Sequence, residues 1–234
     1  MRDDHEPRRR VFDATDLARV AVFAALIAAL GLPGSFSVFG GVPITAQTFG
    51  VMLAGAILGP RRGALSVVAL LALTAAGLPL LAGGRGGISV FVGPSAGYLI
   101  GWIAGAFVIG LIVHSSARKP AVWRTALAML VGGIVVVYAF GIPVQSLVMR
   151  LSLGQTALSS LVFIPGDLVK ATLATLTVGT LLRAYPRAFR RTWLSSERLE
   201  VDAPGADAPE ADAARADAAG ADAPAVDTPT QPAK

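Results

Sequence analysis

The sequence predicts an all-α membrane protein of six transmembrane helices with both termini in the cytoplasm, and three observations carry that prediction. Of 234 residues, 54% are hydrophobic and only 15% charged, against roughly 25% charged in an average soluble domain. Six apolar segments are long enough, or nearly so, to cross a hydrocarbon core of about 30 Å at about 1.5 Å per helical residue. Arginine and lysine are dense in every second inter-segment turn and sparse in the others, the asymmetry that distinguishes cytoplasmic loops. The chain then divides into a cytoplasmic N-terminal segment (1–14), a membrane domain (15–192) and an acidic tail (193–234).

The first span, 16–32, follows Arg8, Arg9 and Arg10 and has Arg19 ahead of its apolar core. Asp13 and Asp16 sit just before its apolar core and no Ala-x-Ala site follows, so it reads as a retained helix and not a cleaved signal peptide. Ala21, Ala25 and Ala29 form a smooth stripe that lets another helix approach closely, whether a partner's or one of its own bundle. The second span, 47–60, opens with Gln47 and Thr48; it is short, hence tilted or partly buried behind other helices. Arg61 and Arg62 separate it from the third, 63–82. The fourth, 94–114, carries Tyr98 one turn in, either as a pocket wall or as an interfacial belt residue. Arg118, Lys119 and Arg124 lead into the fifth, 121–140. The sixth, 161–182, is followed by Arg183, Arg187, Arg190 and Arg191.

On the opposite side only Arg85 and Arg150 appear. The loops there, 33–46, 79–94 and 141–160, are long and rich in glycine, proline or polar residues, which predicts a vestibule or lid on the outer face. Arg85 lies among four glycines, placed either to close over an anionic ligand or to be solvated. From Ser195 onward nine acidic residues face three basic ones, and Asp202, Asp207, Asp212, Asp217, Asp222 and Asp227 recur every fifth residue. That period fits neither helix nor strand, and without large apolar residues the tail is expected to be disordered. The remaining arginines flank apolar spans instead of forming one patch, so a nucleic acid is not an expected partner.

Between Asp16 and Glu197 the chain has a single acidic residue, Asp167, with Lys170 three positions on. A charged side chain at bilayer depth costs on the order of 2.5–3.5 kcal/mol on insertion scales and is by default a functional-site candidate. Spacing i, i+3 brings the two charges onto one helix face. One reading has the carboxylate stabilising a helix N-terminus at Pro165 while Lys170 snorkels. The other gives a small polar ligand an acceptor for N–H groups and a cation for a carboxylate. Counted up from Arg183, Asp167 lies about 24 Å along the helix, a depth that suits a pocket under the outer loops.

Other chemistry is excluded. The chain has no cysteine, hence no disulfide or thiolate site. It lacks a G-x-x-x-x-G-K-[ST] phosphate loop, and Gly83–Gly87 is no dinucleotide fingerprint, since no strand precedes it. An aspartyl protease needs a second acid. His5 and His114 fall at cytoplasmic positions, away from any intramembrane serine site or metal cluster. Neither an enzyme, a cofactor nor a metal is expected.

Four motifs together resemble one family. Val42-Pro43-Ile44-Thr45-Ala46-Gln47-Thr48-Phe49-Gly50, Ala75-Ala76-Gly77-Leu78-Pro79 with its glycine run, Gly93-Pro94-Ser95-Ala96-Gly97-Tyr98, and Phe163-Ile164-Pro165-Gly166-Asp167-Leu168-Val169-Lys170 resemble the BioY family, the biotin-capturing S components of energy-coupling factor (ECF) transporters. The resemblance covers roughly residues 15–185 and leaves the tail outside. It implies a six-helix S-component fold that binds biotin from outside, with Asp167 and Lys170 at ligand-contacting positions and Gln47 and Tyr98 at pocket-lining ones. It also implies that the Ala21/Ala25/Ala29 stripe meets a coupling transmembrane subunit, while two cytoplasmic ATPase subunits supply the energy. Ser95 and Ala96 depart from the Thr-Gly often found in relatives, and Arg85 stands at a variable position. An S component for another small vitamin, a proton-coupled carrier and a non-transport membrane scaffold are the competing readings.

Overall fold

The structure, a computed structural model, describes residues 14–32, 42, 45–115 and 121–184. The first residues and the Asp-rich tail lie outside them, as do Arg8–Arg10, Arg118, Lys119 and Arg187–Arg191, on which the predicted orientation largely rests. Among the described residues every regular element is helical.

Helix α1 spans Ala14–Ala29, α2 Gln47–Leu58 and α3 Pro60–Ala75; a short 3-10 turn, Ile88–Phe91, precedes α4, Ala96–His114. Helix α5, Val122–Leu130, passes through a π turn at Val131–Val136 into α6, Val137–Met149. Helix α7, Leu153–Ser160, continues through a 3-10 turn, Leu161–Phe163, into α8, Ile164–Ala184. Among the described residues three rods are long and apolar enough to cross a membrane: Ala96–His114, Val122–Met149 and Leu153–Ala184. Helix α2 is shorter because other helices enclose it; nearly every residue from Gly50 to Leu58 is buried.

Several boundaries differ from expectation. The third helix stops at Ala75, not 82, and the chain from Leu78 to Gly87 folds into a tight loop instead, closed by the mutual backbone bonds of Leu81 and Arg85. The fifth runs nine residues past 140, to Met149, and the sixth is helical from Leu153. The expected outer loop 141–160 is therefore mostly helix, broken only at Arg150–Ser152, where Arg150 takes a left-handed conformation (φ 54°) and a Ser152/Gln155 capping box restarts the chain. Gln145 and Ser146, taken for loop residues, are buried in α6. Hydropathy misplaces such boundaries because polar residues facing a bundle interior look like loop residues in a one-dimensional count.

Helix α4 is the hub, packed against α2, α3 and α6. Gly97, Gly101 and Gly105 form a stripe at spacing four on its α6 side. A Cβ there would stand 2.4 Å from the Phe140 carbonyl, 2.9 Å from that of Val137 and 2.5 Å from that of Gly132. Small residues at i, i+4, i+8 admit this backbone contact. Large apolar side chains such as Leu17, Trp123, Leu147, Leu158 and Val169 point outward from the bundle, the surface of a protein solvated by lipid.

The N-terminal ends of α1 and α3 are joined by charge. Asp16, only 4% exposed, accepts from Arg62 Nη2 at 2.8 Å, with Arg19 at 4.0 Å. Arg62, counted in the sequence as a loop charge, lies in the first turn of α3, because the turn after α2 is the single residue Gly59 (φ 82°) followed by Pro60 at the first helical position.

Candidate ligand-binding site

One cavity opens among α2, α4, the π turn, α6, α8 and the Leu78–Gly87 loop, with about 630 Å³ of unfilled space including its mouth. All five residues singled out as ligand candidates, Gln47, Arg85, Tyr98, Asp167 and Lys170, line it, although they come from four separate segments.

Asp167 and Lys170 meet as the i, i+3 spacing predicts, with Lys170 Nζ donating to Asp167 Oδ1 at 2.9 Å. The other oxygen accepts from the hydroxyl of Tyr138 at 2.7 Å. Asp167 lies in the first turn of α8, as the sequence reading expected, and a 3-10 turn, Leu161–Phe163, joins that helix to α7. A carboxylate offers about four lone-pair sites and an ammonium three donors. The bonds given above leave two acceptor sites and two donors of this cavity-lining pair unused.

Tyr98 stands edge-on to Tyr138, ring centroids 5.9 Å apart at 81°. Its hydroxyl donates to Gln145 Oε1 (2.9 Å) and lies 3.1 Å from Ser160 Oγ, so α4, α6 and α7 meet at one buried polar knot. With that hydroxyl engaged, Tyr98 offers the cavity its ring. Leu99, Trp102, Val137 and Phe163 extend the apolar wall. The arrangement suits a ligand with a hydrophobic body and polar ends.

Gln47 serves a different purpose. It is 1% exposed, and its Nε2 donates to the carbonyls of Ile27 (3.2 Å) and Leu80 (3.0 Å) while Oε1 accepts from the Ala82 amide (3.0 Å). The amide thus ties the end of α1 to the loop that carries Arg85. Arg85 Nε donates to the Ala82 carbonyl (3.2 Å) and Nη1 to Ser95 Oγ (3.4 Å), both neutral acceptors. Burial pulls its pKa below the ordinary guanidinium value, yet an arginine stays charged. With Asp167 and Lys170 paired, the cavity keeps one net positive charge. Thr48 Oγ1, also in the lining, is buried without a hydrogen-bond partner.

Sequence reasoning missed Tyr138 and Trp102. Tyr138 is one of three tyrosines in the chain, and an isolated polar tip inside the fifth apolar segment is a signal that was legible. Ala21, Ala25 and Ala29 are exposed, on the face of α1 opposite the buried Val20, Ala24 and Ile27. Among the described residues no three His, Cys, Asp or Glu side chains cluster as metal ligands would.

Known proteins share this sequence and fold. Residues 4–187 match the BioY family. A biotin transporter BioY of Rhizobium etli is 48% identical over 177 residues, covering 73% of this chain and 95% of that protein. Its counterpart from Rhodobacter capsulatus is 47% identical over 178 residues, covering 72% and 94%. A solved S-component for biotin from an ECF-type ABC transporter superposes with a TM-score of 0.67 at 39% identity, covering 72% of this chain and 91% of that one.

Proposed function

This chain belongs to the BioY family, and on that premise we propose that it captures biotin as the S component of an ATP-driven ECF-type uptake system. It is a multi-pass protein of the cytoplasmic membrane and a transport component, not an enzyme. The observation that carries the reading is the convergence of Asp167, Lys170, Tyr98, Gln47 and Arg85 on one cavity. Biotin has a ureido ring with two N–H groups, an apolar bicycle and valeryl chain, and a carboxylate at the far end. The open acceptor sites of Asp167 match the N–H groups, and a free donor of Lys170 the ureido oxygen. The tyrosine and tryptophan rings suit the apolar body. Arg85, whose bonded partners are both neutral, takes the carboxylate; Gln47 acts by holding its loop.

The full architecture belongs to the same proposal: six spans, both termini cytoplasmic, the cavity opening outward, and the Ala21/Ala25/Ala29 face meeting a coupling transmembrane subunit that two cytoplasmic ATPases drive. Cysteines introduced at Ser89 and Ser152 then react with an impermeant reagent in intact cells, whereas one at Ser195 does not. The decisive experiment is mass spectrometry of small molecules that co-purify with the protein in detergent. Biotin at near one-to-one stoichiometry is expected. A different vitamin in its place, or no retained ligand together with no binding of added biotin, overturns the assignment.

A further inference from the structure

Tyr138 meets Asp167 from a rod, α5–α6, that contains a π turn. The inward-facing residues of that rod, Met129, Gly133, Val137, Gly141 and Gln145, recur every fourth residue. On an ideal helix of 3.6 residues per turn such a stripe slips by about 40° at each step, roughly 160° over the whole run. A regular helix that faced Met129 toward α8 would therefore turn Gln145 out of the bundle. The wide turn at Val131–Val136 absorbs one residue, about 100° of the slip.

Three close approaches fix this register. Gly105 of α4 meets the Gly132 carbonyl within the turn, and Gly101 and Gly97 meet the Val137 and Phe140 carbonyls beyond it, so the rod is clamped on both sides of the extra residue. Gly133, in the turn itself, lines the cavity and also packs against Met52 of the core, into which a methyl group would press. Beyond the turn, Tyr138 donates to Asp167 Oδ2.

We propose that the π turn is the element that shapes the ligand site, and that Tyr138 is a positioning residue acting on ligand through Asp167. Tyr138 and Lys170 hold one oxygen each of the carboxylate, fixing its plane, so that the remaining acceptor sites face the cavity in one orientation. The inference rests on the reading of Asp167 as a biotin acceptor. Its test separates the two.

Biotin affinity is measured for the purified protein, Tyr138→Phe, Asp167→Asn and the double variant. Tyr138→Phe keeps the ring and its edge contact with Tyr98 and removes only the hydroxyl. It is expected to weaken binding about tenfold, the worth of a hydrogen bond to a charged group. In the Asp167→Asn background the same change is expected to cost less than about twofold, because its effect passes through the carboxylate. Deleting Val135, an outward-facing residue of the turn (62% exposed), restores a regular helix. The deletion variant should bind at least about tenfold more weakly, with no further loss on Tyr138→Phe. Additive losses from Tyr138→Phe and Asp167→Asn, or wild-type affinity in a folded Val135 deletion, overturn the inference and leave the site reading standing. If the deletion variant does not fold, the point-variant cycle alone decides. Wild-type affinity in Asp167→Asn overturns the site reading and the inference with it.

Discussion

Asp16 and Asp167 make an instructive pair. Both are buried, 4% and 7% exposed, and each has a cation within 2.9 Å. Their surroundings differ. Asp16 is bridged to another helix by Arg62, its Oδ1 has no hydrogen-bond partner, and it is not among the residues lining the ligand cavity. Asp167 is paired within its own helix, has both oxygens engaged, and borders open space. The first pair uses its charges to join α1 to α3. The second needs no tertiary assembly to form, so its remaining faces are available. Burial and opposite charge alone do not mark a ligand site; unused hydrogen-bonding capacity beside a cavity does.

The contrast is broken most severely at its structural end. Arg62→Met leaves the buried Asp16 carboxylate with only the more distant Arg19 at 4.0 Å and is expected to cost about 3 kcal/mol of stability, read from denaturant or thermal unfolding in detergent. Biotin affinity of the folded fraction should hold, since Arg62 lies outside the cavity lining. A variant with normal stability and lost affinity would reverse the two roles.

At the proposed site the expected change is in binding. Asp167→Asn removes hydrogen bonds to a charged group, worth about 1.5–3 kcal/mol each, so affinity should fall by roughly tenfold to a hundredfold. Its unliganded melting transition should shift less than that of Arg62→Met. Arg85→Gln comes next, because a half-exposed cation is partly screened; a loss of about 1 kcal/mol is expected. The dependence of affinity on salt should shrink with it, and titrations at low and high ionic strength check both. The smallest effect on binding is expected on α1. Ala21→Trp and Ala25→Trp enlarge an exposed face that lipid accommodates and a close helix contact does not. Biotin affinity should stay within about twofold while ATP-dependent uptake falls; lost binding with an intact complex would assign the stripe to internal packing instead.

What was legible in the sequence is local. The i, i+3 spacing of Asp167 and Lys170 forced their contact once the segment was helical. Tyr98, Gln47 and Arg85 were visible as polar residues at the ends of apolar runs, and all three reach the cavity. Their tasks were less visible: Gln47 bonds to Ile27, Leu80 and Ala82, up to 35 positions away, and no spacing rule predicts that. Helix α4 is apolar all round, so its sequence carries no facing signal. The Gly97/Gly101/Gly105 stripe was the available cue, and the alanines of α1 drew attention instead.

By itself, then, the sequence determined that the chain is helical and lipid-solvated, where its charges are scarce, and which carboxylate and lysine share a face, because these depend on composition and on the 1.5 Å rise of a single helix. Only the tertiary structure decided that Tyr138 is the third member of that cluster, that Arg62 pairs with Asp16, and that the fifth rod carries an extra residue at Val131–Val136. Those outcomes depend on the rotation of one helix about its axis relative to another. In a lipid-facing helix apolar residues occupy the outside as well as the inside, so that rotation is set by glycine contacts and by satisfaction of buried polar groups, and not by a hydrophobic period.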